Sequence, residues 1–109
     1  MKYSDHKWLL LLILILITSC SIESPILLYP IDGETVSLPV TLVWSHVRAS
    51  EYWAMIDTTT DFHDPIIWVR ISDTTYEVTA LTPGLHYWCV EAHAEDQSSC
   101  SETESFRIE

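Results

Sequence analysis

Apolar and polar residues alternate in short runs along most of the chain, and turn residues such as Asp32-Gly33 and Pro83-Gly84 separate the runs. In one run Val40, Leu42 and Trp44 share a face. A period of two over four to eight residues is typical of a half-buried β-strand. The pattern predicts about seven strands and an all-β fold. Their approximate ranges are 26–29, 40–44, 52–56, 66–71, 75–78, 87–94 and 105–108.

The N-terminus has a different pattern. Lys2 and Lys7 precede a run from Trp8 to Ile17 in which every residue is apolar. A transmembrane helix needs roughly 17–25 apolar residues, whereas the apolar region of a secretory signal needs roughly 7–15. The segment therefore predicts a helical signal peptide, followed by an exported domain.

The end of the apolar run, Ile17-Thr18-Ser19-Cys20, resembles the lipobox of bacterial lipoproteins. The resemblance implies that the Cys20 sulfur receives a diacylglycerol, that a peptidase cuts before it, and that an acyl chain such as palmitate joins the new amine. Several acyl chains give stable membrane anchoring. Ser21 in place of Asp favours the outer membrane over the inner one in a Gram-negative cell. The alternative is an ordinary signal with an unmodified Cys20 thiol or a disulfide there.

These features divide the chain into a signal peptide at 1–19, a lipidated tether at 20–24 and one domain at 25–109. The whole chain has a formal net charge of −11. Without residues 1–19 it carries 3 basic and 15 acidic residues, a net charge of −12. Such a surface repels nucleic acid and anionic head groups, so membrane attachment is expected to depend on the lipid.

The mature chain resembles a bacterial fibronectin type III domain over nearly all of residues 25–109. The resemblance rests on Pro30-Ile31-Asp32-Gly33, on Val40-Thr41-Leu42-Val43-Trp44, on Tyr52 with Ile56, on the run from Leu81 to Ala92, and on the run from Ser101 to Ile108. It implies an immunoglobulin-like Greek-key sandwich. One sheet would hold strands 26–29, 40–44 and 75–78, and the other the remaining four. Trp44 would lie in the core, and Tyr87, or else His86, would bond back to the backbone near Leu81.

The resemblance also implies a pairing for two cysteines. Its pattern favours Arg at position 89 and Trp at position 100, on adjacent strands and facing outward, where this chain has Cys89 and Cys100. An even pair of cysteines in an exported domain is commonly a disulfide. We therefore predict a Cys89–Cys100 disulfide. The alternatives are a metal-binding or a redox-active thiol pair.

Catalytic patterns are hard to find in the sequence. The five histidines show no metal-ligand spacing, no Gly-x-Ser-x-Gly turn is present, and two glycines are too few for a phosphate-binding loop. The loop from Asp57 to Asp64 offers several oxygens, which could bind Ca²⁺ or simply face solvent; its spacing does not match an EF-hand, so we favour the second. The prediction is a non-enzyme without cofactor or metal.

The remaining candidate is an exposed aromatic surface on the larger sheet, formed by Trp53, Trp68 and Tyr76 with Met55 nearby. The leading hypothesis is a membrane-tethered periplasmic or cell-surface module that binds a protein or a glycan. The second is a structural accessory or spacer in an envelope assembly, and an enzyme with an unrecognised site is the third. The sequence names no ligand, oligomeric state or membrane face, and the chain could be a fragment of a larger array protein.

Overall fold

The computed structural model describes residues 22–109, so the predicted signal peptide at 1–19 and the predicted lipidation site Cys20 lie outside the described residues. The described part is all-β, as the alternation predicted. Within it, no helix has the length and apolar character needed to cross a bilayer.

Nine strands form two sheets in the described chain. The strands are β1 (Leu27–Tyr29), β2 (Glu34–Val36), β3 (Val40–Trp44), β4 (Glu51–Asp57), β5 (Ile67–Ile71), β6 (Thr75–Val78), β7 (Gly84–Ala94), β8 (Gln97–Cys100) and β9 (Glu104–Ile108). The smaller sheet has the order β1-β3-β6, and the larger has the order β2-β9-β7-β4-β5, with β8 also paired to β7. All seven predicted strands are present, and they divide between the sheets as expected.

Two strands were not predicted, because neither carries an apolar pattern. β2 has three residues and pairs in parallel with β9, from Glu34 opposite Phe106 to Val36 opposite Ile108. β8 has the polar sequence Gln-Ser-Ser-Cys and pairs with β7 across a two-residue turn. Both strands form because a neighbouring strand offers free backbone groups, which single-sequence periodicity does not reveal.

The core lies between the two sheets and is built around Trp44. Its ring meets Trp88 edge-on, with 6.3 Å between centroids, and Tyr52 edge-on at 5.8 Å. Trp88 is fully buried and its Nε1 donates a hydrogen bond to the Pro30 carbonyl at 2.8 Å. Side chains from both sheets thus enclose one apolar layer, which is consistent with a β-sandwich.

The pairing of β4 with β7 organises this layer. Seven consecutive residue pairs run from Glu51 opposite His93 to Asp57 opposite Tyr87. The inward positions of both strands are buried, and they are Tyr52, Ala54, Ile56, Trp88, Val90 and Ala92. Because side chains alternate with period two, a one-residue slip of either strand would turn its three inward side chains to solvent, so the register is strongly specified.

The expected bond from Tyr87 to the backbone near Leu81 is not formed. β7 begins at Gly84, and its alternation turns His86 and Trp88 inward while Tyr87 stays half-buried on the outer side. His86 is buried, stacks on Phe106, and bonds through Nδ1 to the Gly84 carbonyl at 3.0 Å. The tyrosine that bonds to the backbone is Tyr52 instead. Its hydroxyl donates to Val47 O and accepts from Val47 N, in the loop between β3 and β4.

Tyr52→Phe is therefore expected to lower the free energy of unfolding by about 1–3 kcal/mol, because it leaves the buried backbone groups of Val47 without a partner. Urea unfolding monitored by circular dichroism measures the change. Tyr87→Phe is the matched control and should stay within about 0.5 kcal/mol of the parent. Equal losses in the two variants would contradict this assignment.

Candidate binding surface on the larger sheet

The outward residues of β4, β5 and β7 meet on the solvent face of the larger sheet. Register places Arg70 beside Trp53, Trp53 beside Glu91, and Glu51 beside His93. We call this group the outer cluster; its members are Glu51, Trp53, Trp68, Arg70, Glu91 and His93. The same alternation that buries Tyr52 and Trp88 therefore assembles the cluster on the opposite face.

Trp53 is the centre of the outer cluster. The His93 ring stacks on it with 3.8 Å between centroids and 23° between planes. Trp68 meets it edge-on at 5.2 Å and 67°, and the Arg70 guanidinium carbon lies 5.5 Å from its ring centroid. The stack, the edge contact and the cation–π contact enclose the Trp53 indole from several directions, so they restrict how this ring can move.

Two carboxylates fix the polar edge of the cluster. Glu51 accepts from Trp53 Nε1 at 2.6 Å and from Arg70 Nη2 at 3.0 Å. The Trp53 hydrogen bond first, and then the Arg70 cation, hold the pKa of Glu51 below its usual value despite some desolvation. Glu91 Oε1 lies 2.9 Å from His93 Nε2. The His93 ring that stacks on Trp53 is therefore also held by a carboxylate.

Trp68 is the aromatic member most open to solvent, with 45% of its surface exposed. It lies on β5, the edge strand of the larger sheet. Arg70, two residues along the same strand, is also exposed. The cluster thus presents an indole ring beside a guanidinium and carboxylates, a set that can stack on the apolar face of a ligand and hydrogen-bond to its polar groups.

Tyr76 does not belong to this surface, although the sequence grouped it with Trp53 and Trp68. It lies on β6 in the smaller sheet, opposite the buried Leu42. Side chains of directly paired residues point to the same face, so Tyr76 faces inward and packs, partly buried, against the core.

The predicted Cys89–Cys100 disulfide is not formed; both residues are free thiols. A two-residue turn, with Glu95 at a φ of 55°, joins β7 to β8 and pairs Ala94 with Gln97, which places Cys100 opposite Glu91. Cys89 is two residues further along β7. Diagonal neighbours have Cα atoms about 7–8 Å apart, beyond the range of about 4.4–6.8 Å that a disulfide requires.

The two thiols differ in their surroundings. Burial, and after it the nearby Cys100 and Glu91, raise the pKa of Cys89 to about 12. Desolvation and then Glu91 raise the pKa of Cys100 as well, but that residue is exposed to solvent. A nucleophilic role needs a thiolate, and neither environment favours one.

In the loop from Asp57 to Asp64, the carboxylates of Asp57 and Asp61 accept hydrogen bonds from groups of the loop itself. Asp57 accepts a hydrogen bond from Thr58 N at 2.8 Å. Asp61 accepts from His63 N at 3.1 Å and from Thr59 Oγ1 at 2.8 Å, and these bonds, the His63 one first, lower its pKa. Throughout residues 22–109, no group of three or more histidine, cysteine or acidic side chains is placed to hold a metal ion.

The chain matches no protein-family model, and no curated protein resembles it in sequence at a significant level. Any function must therefore be argued from the geometry of the chain itself.

Four members of the outer cluster were not singled out from the sequence, namely Glu51, Arg70, Glu91 and His93. A signal was available, because each occupies an outward position of a predicted strand or lies directly beside one. What the sequence does not provide is the β5-β4-β7 order and register, which bring these positions together.

The free thiols give a direct test of the β7–β8 register. In a Cys20→Ser variant without reductant, we expect a thiol reagent at pH 8 to modify Cys100 in the native protein, because that residue is exposed. Cys89 should react only after unfolding, because it is buried and has a pKa of about 12. If the unfolded protein had no free thiol without reductant, Cys89 and Cys100 would be joined by a disulfide, and the β7–β8 register described here would be contradicted.

Proposed function

We propose that this protein is a non-catalytic, lipid-anchored interaction module that faces the periplasm or the cell exterior and recognises its ligand through the outer cluster. The observation that carries the proposal is Trp68, half-exposed and in contact with a Trp53–His93 stack that carboxylates hold in place. A large aromatic side chain left in solvent, but fixed in orientation, is more useful for recognition than for stability.

The cluster suits recognition because its members are already ordered. Immobilising a flexible side chain on binding costs about 0.5–1.5 kcal/mol. Trp53 is held by a hydrogen bond to Glu51 and by its His93 stack, and Arg70 is held by Glu51. Tryptophan and arginine are also the residues most often found to dominate binding energy at protein interfaces.

The proposed anchor rests on three properties of the chain. Ile17-Thr18-Ser19-Cys20 has the form of a lipobox, and the chain after residue 19 has a net charge of −12, which offers no electrostatic attraction to an anionic membrane. The order of strands in the two sheets supports a fibronectin type III-like Greek-key sandwich as the anchored domain. Such a domain on a lipid would present a surface without performing chemistry.

A structural role in an envelope assembly is the second candidate, and one observation favours it. β5 is an edge strand with Trp68 exposed on it and Ile66 exposed directly before it. An open edge of this kind can accept a further strand from another protein.

The test is a crosslinking pulldown of the lipidated protein from membranes. We expect Trp68→Ala to lose the captured ligand and remain folded, because its ring is exposed. Leu85→Ala is the matched control, since Leu85 is an exposed apolar residue of the larger sheet outside the cluster, and it should retain the ligand. In the same experiment Cys20→Ser should move the protein from the membrane to the soluble fraction.

Two outcomes would contradict parts of the proposal. Ligand capture that is unchanged in Trp68→Ala would remove the outer cluster as the recognition surface, and partners copurified in a fixed ratio would then favour the structural role. A Cys20→Ser variant that stays in the membrane would instead show that the apolar segment is an uncleaved anchor.

A further inference from the structure

A second exposed apolar surface lies on β1, at the beginning of the described chain. Ile26 is 65% exposed, Leu28 51% and Tyr29 40%. Three large apolar side chains within four consecutive residues therefore face solvent, and two of them, Leu28 and Tyr29, belong to a strand of the smaller sheet, whereas the outer cluster lies on the larger one. We call them the β1 patch.

An irregularity in strand pairing creates the β1 patch. Leu27 is opposite Trp44 and Tyr29 is opposite Val43, so the register shifts by one residue between them. Leu28 is the extra residue of this bulge. Strict alternation after the buried Leu27 would have turned Tyr29 inward, whereas the bulge leaves Leu28 and Tyr29 both exposed.

Across the smaller sheet, the surroundings of the β1 patch are mostly apolar or neutral, whereas Glu102 and Glu104 line the same cleft as Ile26 at the other side of the patch. The neighbouring Val43 is half-buried, and the outward residues further across the smaller sheet are Thr41, Thr75 and Glu77. Glu77 is the single charged residue among the outward positions of β1, β3 and β6. The outer cluster on the other sheet carries Glu51, Glu91 and Arg70 and has a much more polar surface.

The chain leading to the β1 patch is held against the domain. Ile22 packs, partly buried, on the core, and the Glu23 carbonyl accepts a hydrogen bond from Ser99 Oγ at 2.7 Å. Cys20 is two residues before Ile22 in the sequence, and two residues of chain span at most roughly 7 Å. The polar tether expected at 20–24 is therefore shorter than the sequence suggested, because Ile22 and Glu23 contact the folded domain.

We infer that the β1 patch is a lipid-bilayer contact, on which the smaller sheet rests at the membrane surface. This inference depends on the proposed lipid anchor at Cys20, since acyl chains on that residue would bring the patch to the bilayer. Ile26 and Leu28 would enter the boundary between head groups and acyl chains, where apolar side chains of peripheral proteins bind. Tyr29 has the apolar ring and polar hydroxyl that are typical of that interface.

The orientation has a consequence for recognition. The outer faces of the two sheets point in opposite directions from the shared core. With the smaller sheet on the bilayer, the outer cluster faces away from the membrane, where a ligand can approach Trp68 without obstruction.

Spin labels on the lipidated full-length protein, reconstituted in phosphatidylcholine vesicles, test the inference. The labels are attached at Leu28→Cys or Ile26→Cys in a Cys100→Ser background, in which Cys89 is buried and unreactive. The matched control is Ser98→Cys, which is also exposed and adjoins the Glu23-binding Ser99, but lies on the outer face of the larger sheet, opposite His93. The readout is the collision rate of each label with a water-soluble nickel complex and with oxygen.

We expect the labels at positions 26 and 28 to be several-fold less accessible to nickel, and more accessible to oxygen, than the label at position 98. Equal nickel accessibility at 28 and 98, in protein that sediments with the vesicles, would overturn the inference and leave the anchor intact. Nickel protection without increased oxygen exposure would also overturn it, because a partner protein or a second copy would then cover the patch. Protein that does not sediment with the vesicles at all would instead contradict the proposed anchor.

Discussion

The antiparallel pairing of β4 with β7 is the constraint on which the rest of the structure depends. Its seven residue pairs place Tyr52 and Ala92, Ala54 and Val90, and Ile56 and Trp88 in the core. The intervening pairs place Glu51 beside His93 and Trp53 beside Glu91 on the opposite face. The β4–β7 register therefore determines both the apolar layer and the outer cluster. Burial of the apolar layer supplies the free energy that stabilises this register.

The cluster is accordingly a consequence of sheet geometry, and local contacts then refine it. Once Trp53 and His93 lie on neighbouring strands, their rings can stack, and Glu51 can reach Trp53 Nε1 and Arg70 together. These polar contacts are near the surface and contribute little to global stability. Their effect is to fix orientations, which is what the proposed recognition requires.

Much of the fold was predictable from the sequence, because strands such as 40–44 and 87–94 carry a clear period of two. Most of the misses share one physical cause: they depend on strand pairing that the apolar pattern does not show. The two-residue turn at Glu95-Asp96 lacks a glycine or asparagine signal, so the position of Cys100 opposite Glu91 could not be read from the chain, and the disulfide prediction was wrong. The inward position of Tyr76, by contrast, was available from the sequence, because Tyr76 alternates with Val78 in a strand expected in the smaller sheet. On the outer face, Trp53 and Trp68 could be predicted from their residue type. Their charged partners could be identified only once the register of β5, β4 and β7 was known.

The most direct test of this account is the chemical shift of the His93 ring protons in the NMR spectrum, because a ring stacked 3.8 Å from an indole centroid experiences its ring current. The account predicts that these protons are shifted upfield relative to those of the exposed His46, and that Trp53→Leu removes the shift while the fold is retained. Ring protons of His93 at the same position as those of His46 in the parent protein would show that the stack is absent, and would contradict the arrangement of the outer cluster on the β4–β7 pair.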